Sequence, residues 1–298
     1  MNVFQVKIKI LLLGEAYHAK VFCEQLENYE KSVFEPKYYN ELPPIEVLER
    51  VDVYHLISSP LPVIKKLKRF RKPIFNHWIG TDVYRIITDN PVKRFFKKNI
   101  LDSPNVLNLS VSENLQSELK QVKVSSTIIP LTKLKFVSES LSMPEKFSIL
   151  SYVPENRWEF YNGDLILELA DNLPDVDFHI LAAGNEKISR PNLFFYNFEQ
   201  DLFPFYNKCS VLLRITEHDG LPKMILEALS YGRQVLWNEF FPHCHRVKSK
   251  EECLTLLNKL KLKCPVNVDG KKFVEDSFND SKIIGDYYEL CRKLIHIK

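Results

Sequence analysis

The sequence predicts an α/β protein built from two doubly wound parallel sheets. Short apolar runs alternate with segments of helical periodicity along the 298 residues, which is the pattern of βαβ units. A polar stretch from Leu131 to Lys146, which contains Pro144, separates two such series. We therefore expect an N-terminal domain over residues 1–138 and a C-terminal domain over residues 139–298. The final helix is a candidate to cross back to the N-terminal domain.

Each series contains several strand-like runs with helical patterns between them. The first predicts strands near residues 7–13, 52–57, 73–77, 104–109 and 125–130. The second predicts strands near residues 147–153, 176–182, 209–215 and 234–237. In doubly wound sheets ligands bind outside the carboxyl ends of the strands, so function is expected in the loops there. Two such domains are expected to face each other across a cleft.

Composition indicates an ordinary globular protein. The chain is 45% apolar with a formal net charge of +3, and no apolar run reaches the roughly 18 residues needed to cross a bilayer. The first run breaks at Gly14 and lacks the cleavage site of a signal peptide. Six cysteines without a CxxC pair favour a reducing compartment, and the cysteines and histidines between His243 and Cys264 match no standard zinc spacing. We expect a cytoplasmic protein without a bound metal.

Positive charge is concentrated in one part of the chain. Residues 51–100 hold eleven Lys and Arg against three acids, mainly in Lys65–Lys72 and Lys93–Lys98, with phenylalanines interleaved. This pattern suits an anionic surface such as lipid headgroups, and a solvated helix face explains it equally well. No nucleic-acid partner is expected.

Residues 209–237 read as a strand, a polar loop, a helix and a strand. Pro222 suits the first helical position, because its missing N–H would be unpaired there, and Gly232 ends the helix. The helix N-terminus then lies at the carboxyl end of a central strand, where free backbone N–H groups attract a phosphate. Those groups belong to Gly220, Leu221 and Lys223.

Charged side chains flank this turn. Lys223 is disfavoured by the helix dipole, so an anionic ligand is its expected partner. Asp219 lies at the mouth of the turn, and Glu227, two helical turns further on, can accept hydrogen bonds from a vicinal diol such as a ribose. A helix cap and a solvated helix face are the plain alternatives for these carboxylates. An interior ion pair is one alternative for the role of Arg214.

The stretch D-GLPKMIL-E, Asp219 to Glu227, followed by ALSYGRQVLW, resembles family 4 of the retaining GT-B glycosyltransferases. The resemblance implies the GT-B fold and transfer of a sugar from a nucleotide-sugar donor to a glycan or lipid acceptor, with retention and without a cofactor. It implies that residues 1–138 form the acceptor side and residues 139–298 the nucleotide-sugar donor side. It also implies that Asp219 contacts the sugar, that the following amides hold the diphosphate, and that Glu227 binds the ribose. The chain has Asp219 where Glu is commonest and Pro222 where Gly is frequent.

Three further segments carry the resemblance. FNHWIGTDVYRI resembles a first-domain segment, which implies that His77 faces the donor sugar as a catalytic residue alongside Asp219. VPENRWEFYNGD resembles the opening of the second domain, which implies that Arg157 clamps the diphosphate, while Asn162 replaces a common lysine. Gly14 matches a donor-binding glycine turn after the first strand. A structural histidine and an ion pair of Arg157 with a neighbouring glutamate are the alternatives.

Two other functions stay open. A non-catalytic nucleotide-sugar binding or scaffold protein would keep the fold without turnover, and release of nucleotide from a sugar donor would exclude it. A sugar-nucleotide epimerase would need no acceptor, so product analysis with donor alone distinguishes it. An NAD-linked enzyme is disfavoured, since no GxGxxG follows a strand.

Overall fold

The computed structural model describes residues 7–29, 33–136, 142–182 and 189–295. The chain divides into two compact units. The N-terminal unit comprises Met1–Lys133 together with Ser277–Lys298, and the C-terminal unit comprises Leu134–Asp276. The predicted domain boundary between residues 138 and 139 lies outside the described residues.

The N-terminal unit is a parallel sheet with helices in its connections. Its strands are β1 (Ile8–Gly14), β2 (Phe34–Tyr39), β3 (Val53–Ile57), β4 (Ile74–Trp78), β5 (Val106–Ser110) and β6 (Thr127–Ile128). Its first helices are α1 (Ala16–Glu27), α2 (Ile45–Arg50), α3 (Leu61–Leu67), α4 (Thr81–Thr88), α5 (Pro91–Leu101) and α6 (Glu113–Gln121). The strand order is β2-β1-β3-β4-β5-β6, with every pairing parallel.

The C-terminal unit repeats this architecture. Its strands are β7 (Ser148–Tyr152), β8 (Asp177–Leu181), β9 (Leu193–Tyr196), β10 (Val211–Arg214), β11 (Gln234–Trp237) and β12 (His245–Arg246). Its helices are α7 (Gly163–Asn172), α8 (Phe203–Lys208), α9 (Lys223–Ser230), α10 (Lys250–Leu262) and α11 (Val268–Ser277). The order is β12-β11-β10-β7-β8-β9, again all parallel. The prediction of two doubly wound parallel sheets is therefore confirmed.

The strands that the sequence analysis missed all lie at sheet edges. β2 pairs only with β1 and contains Pro36, which lacks the N–H of a ladder donor and is tolerated at an edge. β9 and β12 close the two ends of the second sheet, and β12 is two residues long. The central strands read as continuous apolar runs because helices cover both of their faces, whereas edge strands lack that signal.

The last helix, α12 (Asp280–Ile295), clusters with the N-terminal unit. Its buried Tyr287 packs edge-on against Phe22 of α1 and Phe75 of β4, with ring centroids 5.1 and 5.3 Å apart. The Tyr287 hydroxyl lies 3.0 Å from Nδ1 of His55 on β3. Aromatic burial and polar contacts, including a bond from Gln25 Nε2 to Asp280 Oδ1 at 2.7 Å, thus hold α12 on the N-terminal unit.

Within the part of the chain that the structure describes, no helix is both long and apolar enough to cross a membrane.

Candidate functional site

The predicted strand, loop and helix are present in the C-terminal unit. β10 lies between β11 and β7, is buried throughout and ends at Arg214. α9 begins at Lys223, so Pro222 is its N-cap and not its first helical residue as predicted. The Pro222 carbonyl accepts the N–H of Ile225 at 3.0 Å, which starts the helix one residue later. Gly232 follows the helix with φ +68°, as expected of a residue that ends it.

Arg214 and Asp219 form an ion pair at the carboxyl end of β10. Nε and Nη2 of Arg214 donate to Oδ2 of Asp219 at 2.8 and 2.6 Å, while Oδ1 accepts the Gly220 N–H at 3.0 Å. The two side chains are 9% and 19% exposed. Burial alone would lower the pKa of Arg214, but the adjacent Asp219 charge outweighs it and the pKa is raised. Arg214 therefore stays charged and fixes Asp219.

Aromatic rings bring a second guanidinium to this pair. The Arg157 guanidinium lies 4.0 Å from the ring centroid of Phe160 and 5.4 Å from that of Tyr161. The Arg214 guanidinium lies 5.3 Å from the same Tyr161 ring. Both distances are within cation–π range, so Tyr161 contacts two cations.

Within the described residues Arg157 forms no ion pair. The alternative of a pair with a neighbouring glutamate is therefore not observed. The guanidinium groups of Arg157 and Arg214 therefore both lie at the carboxyl ends of β7 and β10. Such a cluster suits a polyanion.

The loop between β10 and α9 is held on both sides. The Glu217 N–H donates to the Phe160 carbonyl at 3.0 Å. Asn238, which follows β11, accepts the Thr216 N–H at 3.1 Å and donates from Nδ2 to the Thr216 carbonyl at 2.7 Å. These bonds fix the position of Asp219 without any ligand.

Glu227 is engaged by two neighbours. Lys223 Nζ lies 3.0 Å from its Oε1, and the Tyr206 hydroxyl donates to its Oε2 at 3.1 Å. The expectation that Lys223 depends on a ligand for an acidic partner is therefore wrong, because Glu227 lies one turn away on α9. Burial and the Glu227 charge raise the pKa of Tyr206 well above its usual range, which keeps its hydroxyl a donor. The carboxylate retains lone pairs for a diol.

The amides of the loop differ in availability. The Gly220 N–H donates to Asp219, so the expectation that it is free in the unliganded protein is wrong. Leu221 is half-buried beside it. The donor-binding roles of Gly220, Leu221 and Lys223 stay predictions.

His77 and Gly14 belong to the N-terminal unit. The His77 ring is 0% exposed, with Nε2 2.8 Å from the Ile129 carbonyl and Nδ1 3.0 Å from Nε2 of His55. Both nitrogens are bonded and the ring is covered in this structure, and the catalytic role of His77 stays a prediction. Gly14 has φ +125°, and a Cβ there would lie 1.9 Å from the Ile57 carbonyl oxygen. Close packing of β1 on β3 therefore accounts for this glycine.

Arg214, Tyr161 and Tyr206 are the residues whose contribution sequence reasoning underestimated. A charged residue at the end of an apolar strand is costly unless paired, and an acid five positions later is a usable signal. Tyr161 and Tyr206 gave no signal, because their contacts come from other elements of the fold.

Known structures provide an external comparison. No protein-family model and no curated protein sequence matches this chain. Solved structures are similar to it. Anabaena HepE in complex with UDP-glucose superposes with a TM-score of 0.71 at 11% identity, covering 96% of this chain and 100% of that one. Sucrose-phosphate synthase from Thermosynechococcus elongatus gives 0.71 at 11% identity, covering 98% and 100%. The lipopolysaccharide outer core galactosyltransferase WaaB gives 0.68 at 12% identity, covering 94% and 98%.

The chain has the GT-B fold. Its charged cluster lies at the carboxyl ends of β7 and β10, which is where doubly wound sheets bind ligands. Within the described residues no group of three His, Cys, Asp or Glu side chains is arranged to hold a metal ion.

Proposed function

We propose that this protein is a glycosyltransferase that moves a sugar from a nucleotide-diphosphate sugar to a glycan or lipid acceptor. The observation that carries the proposal is the pairing of Arg214 with Asp219 beside an uncommitted Arg157, at the ligand-binding edge of a GT-B sheet. Support also comes from similar structures whose bound groups are UDP-glucose in HepE and UDP with GlcNAc in the O-GlcNAc transferase GtfA.

Charge stabilisation is the main catalytic contribution that we assign to this chain. As the bond between the sugar C1 and the phosphate oxygen breaks, negative charge collects on the departing diphosphate. Arg157 and the positive end of the α9 dipole stabilise that charge, and no cofactor is needed for it. Asp219, held by Arg214, accepts hydrogen bonds from the sugar hydroxyls, and Glu227 accepts those of the ribose.

Retention of configuration is proposed from the family resemblance. The acceptor hydroxyl then attacks C1 from the face that the diphosphate leaves, forms the new C–O bond, and passes its proton to the departing phosphate oxygen. The role of His77 in this step stays a prediction.

Donor binding by charge-neutral variants tests the proposal. We expect Arg157→Gln to weaken binding of the nucleotide sugar by about tenfold or more, because a charged hydrogen bond to the diphosphate is lost. A thermal-shift screen of nucleotide sugars identifies the donor, and isothermal titration of that donor measures the change. Arg190→Gln is the matched control, since Arg190 lies on the same unit in an exposed pair with Asp171.

The outcomes separate the alternatives. Donor binding with nucleotide release on addition of acceptor supports a transferase. Donor binding without release under any acceptor supports the non-catalytic alternative, and conversion of the donor alone supports an epimerase. Equal affinities of wild type and Arg157→Gln would falsify the site assignment.

We also propose a cytoplasmic location with peripheral attachment to an anionic membrane. In support, all six cysteines are free thiols, and α5 exposes Val92, Phe95 and Phe96 by 66%, 62% and 64% beside Lys93. Part of the basic charge is balanced, because Lys97 pairs with Asp89. Apolar side chains next to cations suit an interface with anionic headgroups. Co-sedimentation with phosphatidylglycerol vesicles and with phosphatidylcholine vesicles tests this, and equal binding to both would remove it.

A further inference from the structure

A pocket of about 360 Å³ lies within the N-terminal unit. Residues at the carboxyl ends of β3 and β4 form its base, and α4 and α5 contribute its walls. Its size falls at the lower end of the roughly 300–1,000 Å³ range of small-molecule sites. The donor groups named above belong to the C-terminal unit, so this pocket has no role in that assignment.

The pocket is lined by an asparagine side chain whose oxygen accepts no hydrogen bond in the described chain. Asn76 lines the pocket, is 3% exposed, and donates from Nδ2 to Oδ1 of Asn108 at 3.0 Å. The Asn108 amide is oriented by its own Nδ2, which donates to the Leu101 carbonyl at 3.2 Å, and its Oδ1 also accepts Nε1–H of Trp78 at 3.1 Å. These bonds orient Asn76 so that its Oδ1 has no partner in the described chain. A ligand hydroxyl would satisfy it.

The one carboxylate that lines the pocket is committed to backbone groups. Asp82 accepts the N–H groups of Ile79, Gly80 and Val83 at 3.1, 2.9 and 2.9 Å. The Ser58 hydroxyl also hydrogen-bonds to it. The Asp82 carboxylate therefore fixes the turn before α4 through these hydrogen bonds.

Two cationic side chains line the pocket, and only one of them has an acidic partner. Lys97 of α5 pairs with Asp89. Arg85 of α4 also lines the pocket, and in the described ranges its guanidinium has neither an ion pair nor a hydrogen bond. The pocket thus offers the Arg85 guanidinium, the Asn76 oxygen as an acceptor, and the indole of Trp78, which its bond to Asn108 holds in place. A hydroxylated ring that carries an anionic group would use all three.

We propose that this pocket binds an acidic sugar residue of the acceptor, with Arg85 on its carboxylate or phosphate and Asn76 Oδ1 on one of its hydroxyls. Trp78 supplies the apolar wall. The inference rests on the proposed glycosyltransferase function and narrows the acceptor from any glycan or lipid to one that carries an anionic sugar.

Binding of simple sugars tests the pocket independently of turnover. Glucuronate, glucose 6-phosphate and glucose are titrated against the full chain at low ionic strength, where charge interactions are least screened. We expect both anions to bind more tightly than glucose. Replacing Arg85 by Gln should weaken the anions by about tenfold and leave glucose unchanged, because only the charge-assisted bond is lost. Arg85 is exposed, so R85Q is expected to fold, and R50Q, at an exposed arginine away from the pocket, is the control.

The results separate this inference from the function on which it rests. A preference for anions that disappears in R85Q and persists in R50Q supports the pocket, and the tighter of the two anions identifies the charged group. Equal binding of all three sugars, or an anion preference that R85Q retains, overturns it. Titration of nucleotide sugars on the same samples decides the donor site separately, so donor binding without an anion preference defeats the pocket alone.

Discussion

The two units of this protein place polar groups in their central parallel strands in opposite ways. In the N-terminal unit, His55, His77 and Tyr287 are fully buried and bonded to one another. In the C-terminal unit, Arg214 and Asp219 form an ion pair and keep some exposure. One arrangement is closed to ligands and the other is open to them, although each is built on a central strand of its sheet.

The hydrogen-bonded series Ile129–His77–His55–Tyr287, called here the histidine chain, is neutral, and the direction of each of its hydrogen bonds explains why. The Ile129 carbonyl only accepts, so Nε2 of His77 carries a hydrogen and its Nδ1 accepts from Nε2–H of His55. Nδ1 of His55 then accepts from the Tyr287 hydroxyl. Each ring nitrogen of the two histidines makes one hydrogen bond, and neither ring carries a charge. A polar group at a strand end thus indicates a ligand site only where charge and exposure remain.

The largest expected effect comes from breaking the charged arrangement. We expect Asp219→Ala to destabilise the C-terminal unit by about 3 kcal/mol, because removal of one member of a buried pair leaves Arg214 charged and uncompensated. Urea denaturation in a Trp78→Phe background measures it, since the remaining tryptophans, Trp158 and Trp237, both lie in the C-terminal unit.

A double variant distinguishes an ion-pair effect from simple loss of packing. Arg214→Met with Asp219→Leu removes both charges, so we expect it to recover most of the lost free energy of unfolding while donor binding stays lost. A cost below about 1 kcal/mol for Asp219→Ala would show that the pair behaves as an exposed one, and the contrast between the two units would then fail.

The sequence predicted the central strands and the charged turn because their signals are local. β3 and β4 are continuous apolar runs, and the spacing from Asp219 to Glu227 is readable from one segment. Pairing of Arg214 with Asp219 was foreseeable as well, since the two are five residues apart. The contact of Arg157 with Tyr161 next to Arg214 depends on how β7 and β10 adjoin, which no local pattern records.

His77 shows how strand register limits what the motif predicts. Successive side chains of a strand point to opposite faces of the sheet. Asn76 and Trp78 line the pocket, whereas His77 between them bonds to His55 and Ile129. The motif FNHWIGTD predicted that the end of β4 is a ligand-binding edge. It did not predict which of its alternating side chains line the pocket. Only the register of β4 resolves this.

A smaller expected effect is the pH dependence of the free energy of unfolding, which tests whether the histidine chain is neutral. Burial lowers the pKa of His77 to about 3, and burial together with His77 lowers the pKa of His55 well below its usual range. Because the folded pKa values are depressed, the unfolded chain takes up protons first as pH falls below about 6.5. We expect each of these histidines to lower the free energy of unfolding of the N-terminal unit by about 1.4 kcal/mol between pH 7.5 and 5.5.

Urea denaturation at several pH values, followed by the fluorescence of Trp78 in a Trp158→Phe and Trp237→Phe background, measures this slope in the N-terminal unit. His77→Leu removes one titrating group, so its stability is lower at neutral pH but declines less steeply on acidification. His243→Asn is the control and should leave the slope as it is, because that histidine is exposed, lies in the other unit, and has φ +62°, which Asn tolerates. If His77→Leu and the parent show the same slope, the histidine chain carries a charge in the folded protein, and the contrast with the Arg214 pair is then lost.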